Sequence, residues 1–322
     1  MKNPFVTNGY VSPEYFCDRE KETAKIVSLL TNENNIALIS PRRLGKTDLL
    51  RHCFGQPEIK EHYHTFIIDI YATSSVRDFV NVFGKAVLDE LRPKGKSVWG
   101  TFLNVLASLR SEITFDMNGQ PTWGIGLGAI TNPSATLDEI FSYLNNAGKP
   151  CLIAIDEFQQ ITKYADDPNI EAALRTHIQR CSNAHFVFSG SHRHLMGAMF
   201  TSPARPFYQS VTLINLPPIS VDKYAEFCLK HFERVSKHLD TLVVTELYER
   251  FNGITSYMQK VMNILFSMTG TGEICIPSMI DTAINDLLDF SADTYDALLY
   301  QMPEKQRIVF MAIAAEGKAK AI

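Results

Sequence analysis

The chain has 322 residues, 45% hydrophobic and 20% charged, proportions of a globular protein that exclude a disordered chain, a collagen or a coiled coil. No apolar run approaches the about 18 residues of a membrane-spanning helix, and 31 Lys and Arg against 35 Asp and Glu leave a net charge of −4, which provides no global basic field for nucleic acid. The length predicts two domains or three. Six cysteines (Cys17, Cys53, Cys151, Cys181, Cys228, Cys275) lie tens of residues apart with no C-x-x-C pair, and the N-terminal MKNPFVTNGYVSPEYF lacks the apolar stretch of an export signal. Together these predict a reducing, cytoplasmic setting.

In chain order, a Pro- and Gly-punctuated lead gives way to a helix over residues 18–30, with Asp18 placed to cap its first turn and Ala24, Ile26, Val27, Leu29 and Leu30 near one face. Residues 35–40 (NIALIS) form a short apolar strand, and PRRLGKTDLLRHCF leads through a loop into a new helix. Further apolar strands are predicted at residues 65–72, 151–155, 185–189 and 210–214, with helices at about 75–91 and 169–180. Short continuous apolar strands alternating with helices indicate a parallel sheet covered on both faces. Between the second and third strands, an insertion at about residues 92–132 contains ITFDMNGQPTWGIGLG, whose alternation around Asn118-Gly119 predicts a β-hairpin. After Pro217-Pro218 the pattern turns helical to about Phe290, with breaks at Gly253 and near Gly270. An amphipathic helix then opens at Pro303 (Ile308, Val309, Phe310, Ile313).

The strongest motif is Ser40-Pro41-Arg42-Arg43-Leu44-Gly45-Lys46-Thr47, followed by Asp48. It matches G-x-x-x-x-G-K-[ST] except for Ser at the first position. Backbone N–H groups of such a loop, at a helix N-terminus, cradle a β-phosphate. The Lys reaches the β and γ oxygens, and the Thr hydroxyl binds Mg²⁺. Gly45 lets the backbone approach the phosphate. CLIAIDEF then places Asp156 and Glu157 at the C-terminal tip of a buried strand, where α/β sheets bind ligands. Asp156 is expected to serve Mg²⁺, and Glu157 to act as general base on the attacking water. Ser189, Ser191 and His192 form the polar tip of HFVFSGSHRH, within reach of a γ-phosphate or its water. Two H-x-H pairs, His62/His64 and His192/His194, have no further ligands at zinc spacing.

SPRRLGKTDLL, LIAIDEFQQI, FVFSGSHRHLM, RPFYQS and FNGITSYMQKVMN resemble the prokaryotic AAA+-type ATPases of the archaeal-ATPase group, relatives of the STAND signalling NTPases, over nearly the whole chain. The lead around Phe16, Asp18, Arg19 and Glu20 resembles that group's base-contacting segment, which usually has Gly where Asp18 stands. The resemblance implies an α/β P-loop core of strand order 5-1-4-3-2 over residues 1–216. It further implies an α-helical lid over 217–297, with Tyr257 near the nucleotide, and the start of a truncated winged helix over 298–322. It also implies ATP or ADP with Mg²⁺ as ligands and an Arg near the fifth strand that senses γ-phosphate. Arg205 is the candidate, with Arg193 and Arg175 behind it. Four functional readings stay open: a slowly hydrolysing regulatory ATPase with a protein partner, a nucleotide-clamped module without turnover, a small-molecule kinase, and a DNA-associated helper of a mobile element. Any nucleic-acid contact would come through the remainder of the winged helix.

Overall fold

A computed structural model describes residues 3–91, 113–115, 121–123 and 133–316. The described residues fall into two compact units, Gly9–Ile219 and a second formed by the chain from Ser220 onward with the residues before Gly9.

The first unit begins with α1 (Glu20–Thr31), β1 (Ile36–Ile39), α2 (Lys46–Phe54), α3 (Pro57–Lys60), β2 (His64–Asp69) and α4 (Val76–Leu91). Next come the antiparallel pair β3 (Ile113–Phe115) and β4 (Pro121–Trp123), with Ile113 opposite Trp123 and Phe115 opposite Pro121. The predicted Asn118-Gly119 turn lies outside the described residues. The unit closes with α5 (Pro133–Asn145), β5 (Cys151–Asp156), α6 (Ile170–Arg180), β6 (Ala184–Gly190), α7 (Arg193–Thr201) and β7 (Thr212–Asn215).

Five strands form one parallel sheet in the order β2-β5-β6-β1-β7. Counting only these five and reading from the β7 edge, the order is 5-1-4-3-2, as expected. Every residue of β1 and β5 is buried, the signature of a sheet with both faces covered. Alternation divides the side chains. Ala37, Ile39, Ile153, Ile155, Phe186 and Phe188 face a cluster that includes Phe79, Phe83, Phe141, Phe158, Phe200 and Phe207. Ile36, Leu38, Leu152, Ala154 and Val187 face an aliphatic cluster with Ile26, Leu30, Leu49 and Leu50 from α1 and α2. Register aligns the strand ends: Asp69 lies opposite Asp156, and Gly190 opposite Ile39. Polar residues that follow the apolar runs are thereby gathered along one edge.

The start of α1 differs from expectation. Asp18 does not cap the helix; Arg19 is the N-cap residue and makes no side-chain cap bond. Asp18 and Arg19 both adopt left-handed backbone conformations, with φ of +56° and +77°. Asp tolerates that region better than most residues, so the chain here takes a conformation suited to glycine without having one. Ala24 is exposed, and the buried face of α1 is Thr23, Ile26 and Leu30.

The second unit contains α8 (Val221–Glu233), β8 (His238–Leu239), α9 (Thr241–Arg250), α10 (Thr255–Met268), β9 (Ile274–Cys275), α11 (Ile280–Asp289), α12 (Ala292–Gln301) and α13 (Glu304–Glu316). Its polar caps are regular: the Ser220 hydroxyl accepts from Lys223 N–H and the Asp240 carboxylate from Leu242 N–H. Phe5 is buried here against Phe227, Phe232 and Phe266. In α13, Ile308, Val309, Phe310, Met311 and Ile313 are all exposed. No described helix is long and apolar enough to cross a membrane.

Candidate functional site: a phosphate loop and an acidic strand tip

The loop between β1 and α2 combines two left-handed residues, Arg43 at φ +70° and Gly45 at φ +84°, with the helix that starts at Lys46. Consecutive backbone N–H groups in such turns point into one concavity, and the helix N-terminus adds its positive end. A Cβ at Gly45 would meet no atom within 4 Å, so the space beside it is open. Ser40, at the motif's first position, is fully buried. It donates its hydroxyl to the Pro41 carbonyl at 2.9 Å and its N–H to Gly190 O at 3.3 Å. Leu44 is buried, while Pro41, Arg42 and Arg43 are exposed.

Lys46 is 6% exposed. Its ammonium donates to Ser40 O at 3.1 Å and Pro41 O at 3.3 Å, both carbonyls of its own loop, and no carboxylate lies within ion-pairing distance among the described residues. Burial pushes its pKa below the ordinary lysine value, with Arg42 pushing the same way and Asp156 and Glu157 opposing. A buried cation without a paired anion is costly. An incoming anion would relieve that cost.

Asp156 is the last residue of β5, one position further into the strand than expected, and it is buried. It accepts from Thr47 Oγ1 at 2.5 Å through Oδ2 and from Ser189 Oγ at 2.8 Å through Oδ1. The hydroxyl of the phosphate loop and the strand-tip carboxylate are therefore neighbours. An all-oxygen set of one hydroxyl and one carboxylate fits Mg²⁺, which takes few protein ligands and completes its shell with water and phosphate. Glu157 follows at φ +56°, a strained conformation for a side-chain-bearing residue of the kind found at functional sites. Its Oε2 accepts from Ser191 Oγ at 2.8 Å and from Gln159 Nε2. Arg42 reaches the same group from the loop: its Nε donates to Ser191 Oγ at 3.4 Å, and its guanidinium lies 5.3 Å from the Tyr71 ring centre, beyond the end of β2.

The N-terminal lead docks onto α2. The Phe16 ring stacks on His52 at 4.4 Å, and Tyr10 shares a 3.0 Å hydrogen bond with His52 Nδ1. Arg19 is 2% exposed, and its guanidinium is committed to protein partners, Pro217 O at 2.7 Å and Glu22 at 2.9 Å. Asp48, in the first turn of α2, has its carboxyl pKa raised by burial, against the opposing effects of Arg51 and the Tyr10 N–H. Arg205 pairs with Glu171 at the start of α6, a partner that sequence spacing could not supply. Burial raises the Glu171 pKa and Arg205 opposes it. Tyr257 belongs to the second unit, in the first turn of α10, with the Phe251 ring 5.8 Å away. His192 and His194 are exposed, and no group of three His, Cys, Asp or Glu side chains converges as a metal site among the described residues.

The loop thus follows the first strand of a 5-1-4-3-2 sheet, with Asp156 against Thr47. Residues 16–261 match the family model described as an ATPase domain predominantly from Archaea. The chain belongs to that family. A search of the curated proteins returned no match. Among solved structures, this P-loop ATPase domain is similar to a Walker-type ATPase of Pyrococcus abyssi, at 17% identity and TM-score 0.61 over 92% of this chain and 79% of that one. It is also similar to the ORC2 protein of Aeropyrum pernix, seen in ADPNP-ADP complexes, at 13% identity and TM-score 0.59 over 88% and 71% of the two chains. The ORC1 protein of Aeropyrum pernix in complex with DNA matches at 13% identity and TM-score 0.57 over 94% and 73%. Identities this low establish a shared fold.

Proposed function

We propose that the domain binds Mg²⁺-ATP along this strand edge, hydrolyses it slowly, and uses the nucleotide state as a switch read by a protein partner. The observation that carries the reading is Lys46, a buried ammonium whose hydrogen bonds, among the described residues, go to its own loop's carbonyls, next to a Gly45 with open space where a Cβ would stand. In this reading the backbone from Pro41 to Thr47 cradles the phosphates, and Lys46 neutralises their outer oxygens. Thr47 and Asp156 would hold Mg²⁺, which supplies charge neutralisation of the phosphates and orientation when bound. Glu157 takes the proton from the attacking water, and Ser191 holds the Glu157 carboxylate through the same oxygen as Gln159. Phe16, stacked on His52, offers an apolar edge for the base, and Asp48 and Arg19 shape the pocket through α2 and the N-terminal lead. Arg205 extends the proposal as a sensor of γ-phosphate charge.

The test is direct titration of the protein with ATP, ADP and GTP in the presence of Mg²⁺, with phosphate release followed on the same preparation. Micromolar adenine-nucleotide binding with slow release is expected. No binding of any of the three would contradict the reading. Attachment to DNA has its support in the Aeropyrum pernix ORC1 structure, which is a DNA complex. Anisotropy of a labelled duplex, titrated with and without ATP, checks it.

A further inference from the structure

We infer that Gln159 is a positioning residue for hydrolysis: its amide fixes which oxygen of the Glu157 carboxylate faces the water. The inference rests on the reading of Glu157 as general base and adds to it a residue that neither the motif nor the family match assigns.

Gln159 is 3% exposed. Only its Nε2 can donate to a carboxylate, so the contact with Glu157 Oε2 sets the amide orientation. Ser191 Oγ donates to the same oxygen. Two donors on Oε2 pin the carboxylate's rotation, and among the described residues no donor reaches Oε1. That oxygen is left to accept a proton. The amide's own oxygen, Gln159 Oε1, is buried with no hydrogen-bond partner. A glutamine gains nothing for its own satisfaction from this site. Its charge-assisted bond to Glu157 is what the position supplies.

The support beneath it is rigid. Gln159 belongs to a short 3₁₀ turn, Phe158–Lys163, whose first residue packs its ring against Phe188 at 4.4 Å and Phe207 at 5.4 Å. Thr162 Oγ1 bonds the Gln159 carbonyl at 2.8 Å, and Gln160 Nε2 bonds Thr73 O at 2.8 Å. Across the site, the amide lies against Gly190, the residue before Ser191. A Cβ there would come within 2.4 Å of Gln159 Oε1 and 2.6 Å of Met196. The glycine makes room for the amide. Gly190→Ala therefore offers a second way to disturb the contact without altering any group that touches nucleotide.

The experiment compares wild type, Gln159→Met, Gly190→Ala, the double variant and Glu157→Gln, measuring Mg²⁺-ATP affinity, kcat and KM for phosphate release, and melting temperature. Gln159→Met keeps length and bulk but removes the donor. Its kcat is expected to fall about tenfold or more, as misplacement of a reacting group does, while KM and affinity stay within about twofold of wild type. Gly190→Ala should lower kcat in the same sense. Adding it to Gln159→Met should cost little more, because both act through one contact. A kcat of Gln159→Met and Gly190→Ala at the wild-type value, with Glu157→Gln inactive, would overturn the positioning role while leaving Glu157 as the base. Equal losses of kcat and affinity with a lowered melting temperature would also overturn it, since that pattern marks a merely structural residue. Hydrolysis by Glu157→Gln at the wild-type rate would overturn both readings.

Discussion

The two faces of the sheet bury different material and carry different halves of the site. The aliphatic face, with Ile36, Leu38, Leu49 and Leu50, supports α2 and therefore Lys46 and Thr47. The aromatic face, with Phe158, Phe188, Phe200 and Phe207, supports the turn that carries Glu157 and Gln159. Aliphatic residues pack a helix closely onto a strand. Rings add area and preferred tilted contacts, and four of them within about 6 Å of one another hold a single turn in place beneath a strained Glu157. Under the proposed function, nucleotide grip and chemistry are therefore expected to be separable, each answering to its own half of the core.

The largest expected effect tests that division at the chemistry. Glu157→Gln keeps the side-chain shape and removes the proposed base, so hydrolysis should fall by about two to four orders of magnitude while Mg²⁺-ATP affinity is unchanged. Phosphate release and nucleotide titration on one preparation check it, and a fall in both would merge the two halves. Next comes the aromatic support. Phe158 is fully buried, and Phe158→Ala should cost about 3–5 kcal/mol of stability, read from denaturant unfolding. At a temperature where it stays folded, kcat should drop more than affinity. Leu50→Ala on the aliphatic side should cost about 2–5 kcal/mol and show the reverse, with weakened affinity and little loss of kcat at saturating nucleotide. Identical kinetic signatures from the two variants would dissolve the comparison.

The smallest expected effect is one of pH. Gln56 Nε2 can only donate, so His52 Nε2 accepts and its Nδ1 donates to Tyr10, which requires a neutral ring. Burial holds the His52 pKa below its ordinary value of 6.5, and burial acts likewise on His177 and His185. The folded-state values are depressed, so the unfolded chain takes up protons first. Stability is fully present above about pH 6.5 and declines as pH falls below it. The melting temperature should therefore drop on acidification from pH 7.5 to pH 5.5, and His52→Gln should flatten part of that slope. A variant slope equal to wild type would remove His52 from the explanation.

The sequence made the fold and the phosphate loop readable because their constraints are local. Four apolar residues before Ser40 and a G-K-T triplet at a helix start need no partner elsewhere to be recognised. The acidic tip was readable for the same reason, since Asp156 and Glu157 end an apolar run. Contacts between distant segments left no such signal. Glu171 is 34 residues from Arg205, and His52 is 36 from Phe16, with no periodicity linking either pair. Gln159 is one of several polar residues in the turn FQQITK, whose other buried residues are Phe158 and Ile161. Its place two residues after Glu157, within LIAIDEFQQI, gives it no role until the turn is folded. Asp18 shows the opposite failure. Local rules favour an acid as a cap, but the chain needs a left-handed bend there, and the geometry of the lead overrode the capping preference.

The loop around Lys46 is proposed as a nucleotide site, and calorimetric titration of Mg²⁺-ATP into wild type and Lys46→Ala decides it. Among the described residues Lys46 bonds only carbonyls of its own loop, so its loss should leave melting temperature and circular dichroism close to wild type while ATP binding falls by at least about a hundredfold, the scale of a lost charge-assisted contact to phosphate. Equal ATP affinity in the two proteins, with both folded, would contradict it.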